Sequence, residues 1–138
     1  MIILDTNVIS EVMRPQPDKA VIRWLRLAPG DELYTTAITE AEMRYGAEIA
    51  PGKKRRELEE AIDRIFSVRF AGRILPFDSR AAKQFSRILI EMQRDSRSHS
   101  RGDAQIAAIA VVAGAKVATR NVDDFQLAGI GIINPWTA

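Results

Sequence analysis

The sequence predicts an α/β domain, a mostly parallel sheet of about five strands with helices on both faces. Three observations carry that expectation. Short apolar runs at residues 1–4, 33–37, 74–77, 116–119 and 131–133 have strand length and composition. Most of the segments between them carry apolar residues at helical spacing among charges. Strands separated by helices need crossover connections, and crossovers favour parallel pairing. The 138 residues suit one domain spanning 1–138, with no internal repeat, low-complexity tract or separating linker.

The elements follow in order. Residues 1–4 form a buried strand, and Pro15 and Pro17 break whatever turn of helix follows. Residues 18–28 set Val21, Ile22, Trp24, Leu25 and Leu27 among charges and end at Pro29-Gly30, which reads as a helix. Residues 39–50 are a helix closed by Pro51-Gly52. Residues 53–68 are a longer amphipathic helix with Leu58, Ile62, Ile65 and Phe66 on one face. Residues 79–93 turn Phe85, Ile88, Leu89 and Met92 inward. Residues 94–101 are a polar loop, and residues 103–113 are a helix of small residues stopped by Gly114. Pairs of helices between some strands make the pattern less regular than a plain doubly wound sheet.

Composition bounds the function. Hydrophobic and charged fractions of 46% and 28% are ordinary for a globular protein. The absence of cysteine excludes disulfides, thiolate metal sites and thiol nucleophiles, and it fits a reducing cytoplasm. The longest nearly apolar stretch, residues 106–115, is too short to span a bilayer. The first residues lack the basic region of a signal peptide and meet Asp5 at once. A cytoplasmic protein without a membrane partner is therefore expected. His99, the single histidine, reads as a solvated loop residue and is a poor basis for a Ser-His-Asp triad. There is no Gly-rich phosphate loop.

Four acids stand out, each with a simpler structural role beside the chemical one. Asp5 follows the first strand and is a candidate helix N-cap. Glu42 closes a capping-box pattern with Thr39. Asp103 relates in the same way to Ser100, and Asp124 to Asn121. Taken together they mean more. Ligands of parallel α/β sheets bind outside the carboxyl ends of the strands. Asp5, Glu42 and Asp124 each lie shortly after a strand. The helix of Asp103 runs into the strand at 116–119 through a short Gly114 turn, so it ends at the amino edge and begins at the carboxyl edge. Four carboxylates in one crevice repel each other unless a cation joins them. All-oxygen donors select Mg²⁺, with Mn²⁺ as a substitute, and such sites hydrolyse phosphodiesters through an activated water. If four of the 18 acidic residues serve there, 14 remain against 20 basic ones, a surface suited to a polyanion.

Other residues take secondary parts. Arg120 borders the crevice and is the candidate phosphate contact, with Arg94, Arg97 and Arg101 near the approach to Asp103. The run Lys53-Lys54-Arg55-Arg56 reads as a solvated helix start. Glu40 and Asp123 are expected to face solvent, and Trp24 and Trp136 to pack.

Four segments resemble, in order, the motifs of PIN domains. They are Ile3-Leu4-Asp5-Thr6-Asn7-Val8-Ile9-Ser10, Thr39-Glu40-Ala41-Glu42-Met43-Arg44-Tyr45-Gly46, Asp103-Ala104-Gln105-Ile106-Ala107-Ala108, and Ala118-Thr119-Arg120-Asn121-Val122-Asp123-Asp124-Phe125. Arg73-Ile74-Leu75-Pro76-Phe77-Asp78 and Asn134-Pro135-Trp136 resemble the VapC/FitB branch. Each motif is weak alone, but the ordered set covers nearly the whole chain.

The resemblance implies a three-layer PIN-like fold and a Mg²⁺-dependent endoribonuclease, the toxin of a type II toxin–antitoxin pair. It implies that Asp5 and Asp103 are the core metal ligands, with Glu42 and an acid of the fourth motif completing the catalytic set. Asn7 and Thr119 would orient ligands or water. The implied partners are an RNA substrate such as tRNA or rRNA, a VapB/FitA-like antitoxin whose tail occupies the groove, operator DNA through that antitoxin, and a second copy of the chain. Many relatives carry Asp where this chain has Asn121, which moves the expected fourth acid to Asp124.

Rival readings fit less well. A haloacid-dehalogenase-like phosphatase wants a second Asp where Asn7 stands, and a receiver domain wants a lysine where the chain reads Thr119-Arg120. A non-catalytic binding module would not need the acids. A PIN nuclease without an antitoxin is the alternative within the family.

Overall fold

The computed structural model describes residues 1–94 and 101–138. The strands are β1 (Ile2–Leu4), β2 (Leu33–Thr36), β3 (Ile74–Leu75), β4 (Lys116–Ala118) and β5 (Ile132–Ile133). They form one sheet in the order β3-β2-β1-β4-β5, and every pair is parallel. β1 and β4 lie side by side within it, and the side chains of Ile3, Leu4, Val117 and Ala118 are buried because both faces there are covered.

The helices described are α1 (Thr6–Val12), α2 (Lys19–Leu27), α3 (Ala37–Glu48), α4 (Gly52–Asp63), α5 (Ser79–Arg94), α6 (Arg101–Ala113) and α7 (Val122–Gln126). Strand alternation sorts them into two layers. Ile3 and Val117 face one core, with Ile88, Leu89 and Met92 of α5, the alanines of α6 and Phe125 of α7. Leu4 and Ala118 face the other, with Val8, Ile9, Val21, Met43, Ile62 and Phe66 from the elements between β1 and β3. Each of these buried Val, Leu, Ile, Met and Phe side chains contributes about 1.5–3 kcal/mol. On α6 the buried residues Ala104, Ala107, Ala108 and Ala110 keep the helix surface low, so α5 packs closely along it. Gly114, at φ 63°, stops α6 in a left-handed conformation that a Cβ would disfavour.

Three elements depart from expectation. The turn of helix expected after β1 runs to seven residues and ends at Val12, three residues before Pro15. α3 starts at Ala37, because Thr36 caps it by accepting from the Thr39 backbone N–H at 3.1 Å. The helix expected over 53–68 is α-helical only to Asp63. A π-helical turn, Arg64–Arg69, continues it and keeps Phe66 in the core, with the Phe70 N–H donating to the Ile65 carbonyl at 2.9 Å. Of the loop expected over 94–101, Arg94 ends α5 and Arg101 begins α6. Arg97, His99 and Ser100 lie outside the described residues.

Candidate functional site

The strand order reverses direction between β1 and β4. Successive crossovers build outward from β1 to β3 on one side, and from β4 to β5 on the other. A crevice at the carboxyl ends of these two strands is where an open parallel sheet binds ligands. The register pairs Leu4 with Ala118, so the next residues, Asp5 and Thr119, fall opposite each other at that point.

Asp5 is only 2% exposed. One carboxylate oxygen accepts from the Thr6 N–H at 2.8 Å. The other accepts from the Thr119 hydroxyl at 2.7 Å and from the Asn7 side-chain amide at 3.3 Å. Asn7 also donates to Thr119 at 3.2 Å, and the Asn121 N–H donates to the same hydroxyl at 2.9 Å. Asn7 therefore ties α1 to the end of β4, and its own carbonyl accepts from the Arg120 N–H at 3.3 Å. Asp5 does cap α1, as one sequence reading held, but that bond uses one oxygen lone pair. Its shortest bond, from Thr119, reaches across the sheet.

Burial pushes the Asp5 carboxyl above the usual carboxylate range. The Thr119 and Thr6 hydrogen bonds oppose that rise, and the negative charges of Glu42 and Asp124 add to it. Glu42 is also raised, first by partial desolvation. A Thr6 hydrogen bond lowers it, and the charge of Asp103 raises it further. The four predicted acids are thus electrostatic neighbours in pairs: Asp5 with Glu42, Asp5 with Asp124, and Glu42 with Asp103. Among the described residues, no three acidic or histidine side chains close on a single point at metal-binding spacing. Asp103 and Asp124 each have further interactions.

Glu42 does not close a capping box. Thr39 is the third residue of α3, not its cap, and Glu42 lies a turn further on. The Thr39 hydroxyl instead shares a hydrogen bond with Thr6 at 3.0 Å, and Thr36 donates to it at 3.4 Å. A chain of three hydroxyls, from Thr36 through Thr39 to Thr6, thus ends on Glu42. In the sequence Thr39 reads only as a cap. The clustering of threonines just after two strands was the signal for more. Asn121 stands at the N-cap of α7 without a side-chain cap bond, so the capping relation proposed for Asn121 and Asp124 is not formed.

The remaining candidates are placed as follows. Asp123 is exposed, while Glu40 is half-buried and pairs with Arg44 at 2.9 Å. Two of the four basic residues that open α4 meet neighbouring acids: Arg55 lies 2.8 Å from Glu48 and 2.9 Å from Glu59, and Lys53 approaches Glu57 at 4.0 Å. Arg94 pairs with Glu91 at 3.0 Å. Arg120 is exposed, and its guanidinium lies 4.7 Å from the centre of the Trp136 ring. A groove of about 740 Å³ runs from Thr6 and Glu42 between α1, α3 and α4, past Met13, Met43, Lys54 and Leu58.

The donors fit a hard divalent cation. They are all oxygens, and among the described residues Asp5 has neutral hydrogen-bond donors and acidic neighbours but no basic side chain to balance it.

Comparison with known proteins identifies the family and the fold. Residues 2–130 match the PIN domain family. The chain is 40% identical to the VapC ribonuclease Y4jK of Sinorhizobium fredii, covering 99% of this chain and 98% of that protein. It is 41% identical to the toxin FitB of Neisseria gonorrhoeae, covering 99% of each. A solved structure of FitAB bound to an IR36 DNA fragment superposes with a TM-score of 0.88 at 41% identity, over 99% of this chain and 96% of that one.

Proposed function

The chain belongs to the PIN-domain family, and from that premise we propose that it is a metal-dependent endoribonuclease, the toxin of a type II toxin–antitoxin pair. The observation that carries this reading is Asp5, a buried carboxylate at the sheet's switch point. It is oriented by Thr119 at 2.7 Å and surrounded by further acids. Such a group is costly to keep charged unless a cation joins it.

In this reading Asp5 and Asp103 hold Mg²⁺, for which Mn²⁺ substitutes, and Glu42 and Asp124 complete the catalytic set. When bound, such an ion polarises a phosphate and lowers the pKa of water beside it. The chain's own residues supply the rest. Thr119 and Asn7 fix the Asp5 carboxylate, so that it does not rotate as charge gathers around it. The hydroxyl chain from Thr36 steadies Thr6 beside Glu42. Asn121 offers a side-chain carbonyl to water at the rim, and Arg120 meets a phosphate of the RNA. The substrate class is structured RNA such as tRNA or rRNA.

The names of the relatives support the partners. A FitA-like or VapB-like antitoxin would place a segment in the 740 Å³ groove and block the site. Operator DNA would be reached through that antitoxin, as a FitAB–DNA complex suggests, and the toxin would act as a homodimer. No helix among the described residues is long and apolar enough to cross a membrane. We place the protein in the cytoplasm with its RNA.

The test is incubation of the purified chain with total cellular RNA in Mg²⁺ or in EDTA, beside Asp5→Asn. Discrete fragments that require both metal and Asp5 are expected. Cleavage that survives EDTA, or that persists in Asp5→Asn, would overturn the assignment.

A further inference from the structure

Most arginines of the chain that carry contacts are spent on acids or carbonyls. Arg14, Arg44 and Arg55 pair with carboxylates. Arg73 also lies over an aromatic ring, Phe70, but its nitrogens are consumed by the backbone carbonyls of Gly30, Leu33 and Arg69. Arg120 differs. Among the described residues no carboxylate pairs with its guanidinium, which rests 4.7 Å from the Trp136 ring centre and is otherwise exposed.

Both partners are fixed from below. The Arg120 N–H is held by Asn7, which also contacts Asp5. The Thr119 N–H donates to the Ile133 carbonyl at 2.9 Å, which ties the end of β4 to the end of β5. The chain then turns tightly: the Asn134 side chain accepts from the Trp136 N–H at 3.0 Å, and Pro135 is buried. Trp136, half-buried, packs against the core that contains Leu4 and Val8. The indole is thus presented to Arg120 at the same carboxyl edge of the sheet, after β5, at which β1 and β4 present Asp5 and Thr119.

An exposed arginine ordinarily samples many rotamers, and holding it still costs entropy at the moment of binding. Stacking on an indole meets part of that cost in advance and leaves the N–H edge of the guanidinium open to a phosphate. We propose that Trp136 is a positioning residue for RNA binding: its ring holds Arg120 beside the acidic crevice, poised for a backbone phosphate next to the scissile bond. The proposal rests on the nuclease reading and assigns to the Asn134-Pro135-Trp136 turn a part in substrate recognition. It adds to the packing expected of Trp136, which its contact with the core bears out.

The experiment measures binding of bulk tRNA to the full chain by fluorescence anisotropy over a range of salt. Asp5→Asn is the common background, so that nothing is cut. Trp136→Leu, Trp136→Phe, Arg120→Ala and the double variant Arg120→Ala/Trp136→Leu are compared. Trp136→Leu should weaken binding about three- to tenfold, and Trp136→Phe should restore part of it, because a smaller aromatic face still stacks. Both Arg120→Ala and Trp136→Leu should flatten the salt dependence by about one phosphate contact. The double variant should bind no worse than Arg120→Ala alone.

In the cleaving protein, Trp136→Leu should raise KM while leaving kcat within about twofold. Unchanged binding in Trp136→Leu overturns the proposal. So does a double variant whose losses add, which would mean that the indole stacks on a base by itself. A Trp136→Leu defect matched by an equal loss of thermal stability, without rescue by Trp136→Phe, would make the role structural and also overturn it. If the parent cleaves RNA in the Mg²⁺ assay while Trp136→Leu binds normally, only this proposal falls. If the parent neither binds nor cleaves RNA, the nuclease reading falls with it.

Discussion

The two ends of α1 each bury an acid, and the chain treats them in opposite ways. Glu11, 5% exposed near the C-terminal end, is answered in full. Arg14 donates to both its oxygens at 3.1 Å, and the Asp18 N–H adds a bond at 2.9 Å that pins the proline-containing turn. Asp5, 2% exposed at the N-terminal end, receives hydroxyl and amide donors but no cation among the described residues, and its charged neighbours are acids. A buried charge satisfied by its own protein is a structural fastening. A buried charge oriented but not neutralised is prepared for something the protein does not itself contain.

Substitutions can break that contrast, and the largest effect is expected on the Asp5 side. Asp103→Asn, like Asp5→Asn, should reduce RNA cleavage more than about 100-fold, beyond the loss typical of a residue that only supports a ligand. Isothermal titration with Mn²⁺ should show binding lost while circular dichroism shows the fold kept. Full activity in either variant would remove it from the site.

Glu11→Gln should do the reverse. It leaves cleavage per folded molecule intact but costs about 1–2 kcal/mol in urea unfolding, as charge-assisted hydrogen bonds weaken. A cleavage defect without that loss would make Glu11 functional and dissolve the distinction.

Within the site, Asp124→Asn should slow cleavage by about tenfold, with Asn121→Ala nearer to parent. The reverse order in single-turnover kinetics would move the fourth contribution to Asn121.

The smallest effect is the most diagnostic. Asp5 and Glu42 have carboxyls raised above the usual range, so the folded state holds their protons more tightly than the unfolded chain. Their contribution to stability is present below the ordinary carboxylate pKa and is lost as pH rises through the raised values. The metal-free protein should therefore lose a few degrees of Tm between about pH 4 and 7 relative to Asp5→Asn, and Mn²⁺ at neutral pH should restore them. A Tm difference that does not change with pH would show that the charge on Asp5 carries no such penalty.

Sequence pattern revealed one side of this contrast more fully than the other. Asp5 was legible because it follows the apolar run of β1, and a parallel sheet binds ligands where its strands end. Thr119 and Asn7 were legible as its companions from the motif resemblance, and the wholly parallel sheet grew from strand runs divided by helical ones. Glu11 was half legible: Arg14, three residues on, is a local partner, but the Asp18 N–H became a neighbour only when the Pro15–Pro17 segment folded back. The start of α3 was misplaced because two threonines, Thr36 and Thr39, both have capping chemistry, and only the backbone geometry at Thr36 decides between them. The π-helical turn at Arg64–Arg69 was invisible for a similar reason: its apolar residues keep close to helical spacing while its hydrogen bonds reach one residue further.

The sheet also ends abruptly on both sides. β3 and β5 are two residues each, and they are its outermost strands. A strand from another molecule arriving at either border would find little more than one rung of ladder to extend. Copies crowded together have almost no template for growing a shared sheet, so accumulation should raise the chain's concentration without seeding fibrils.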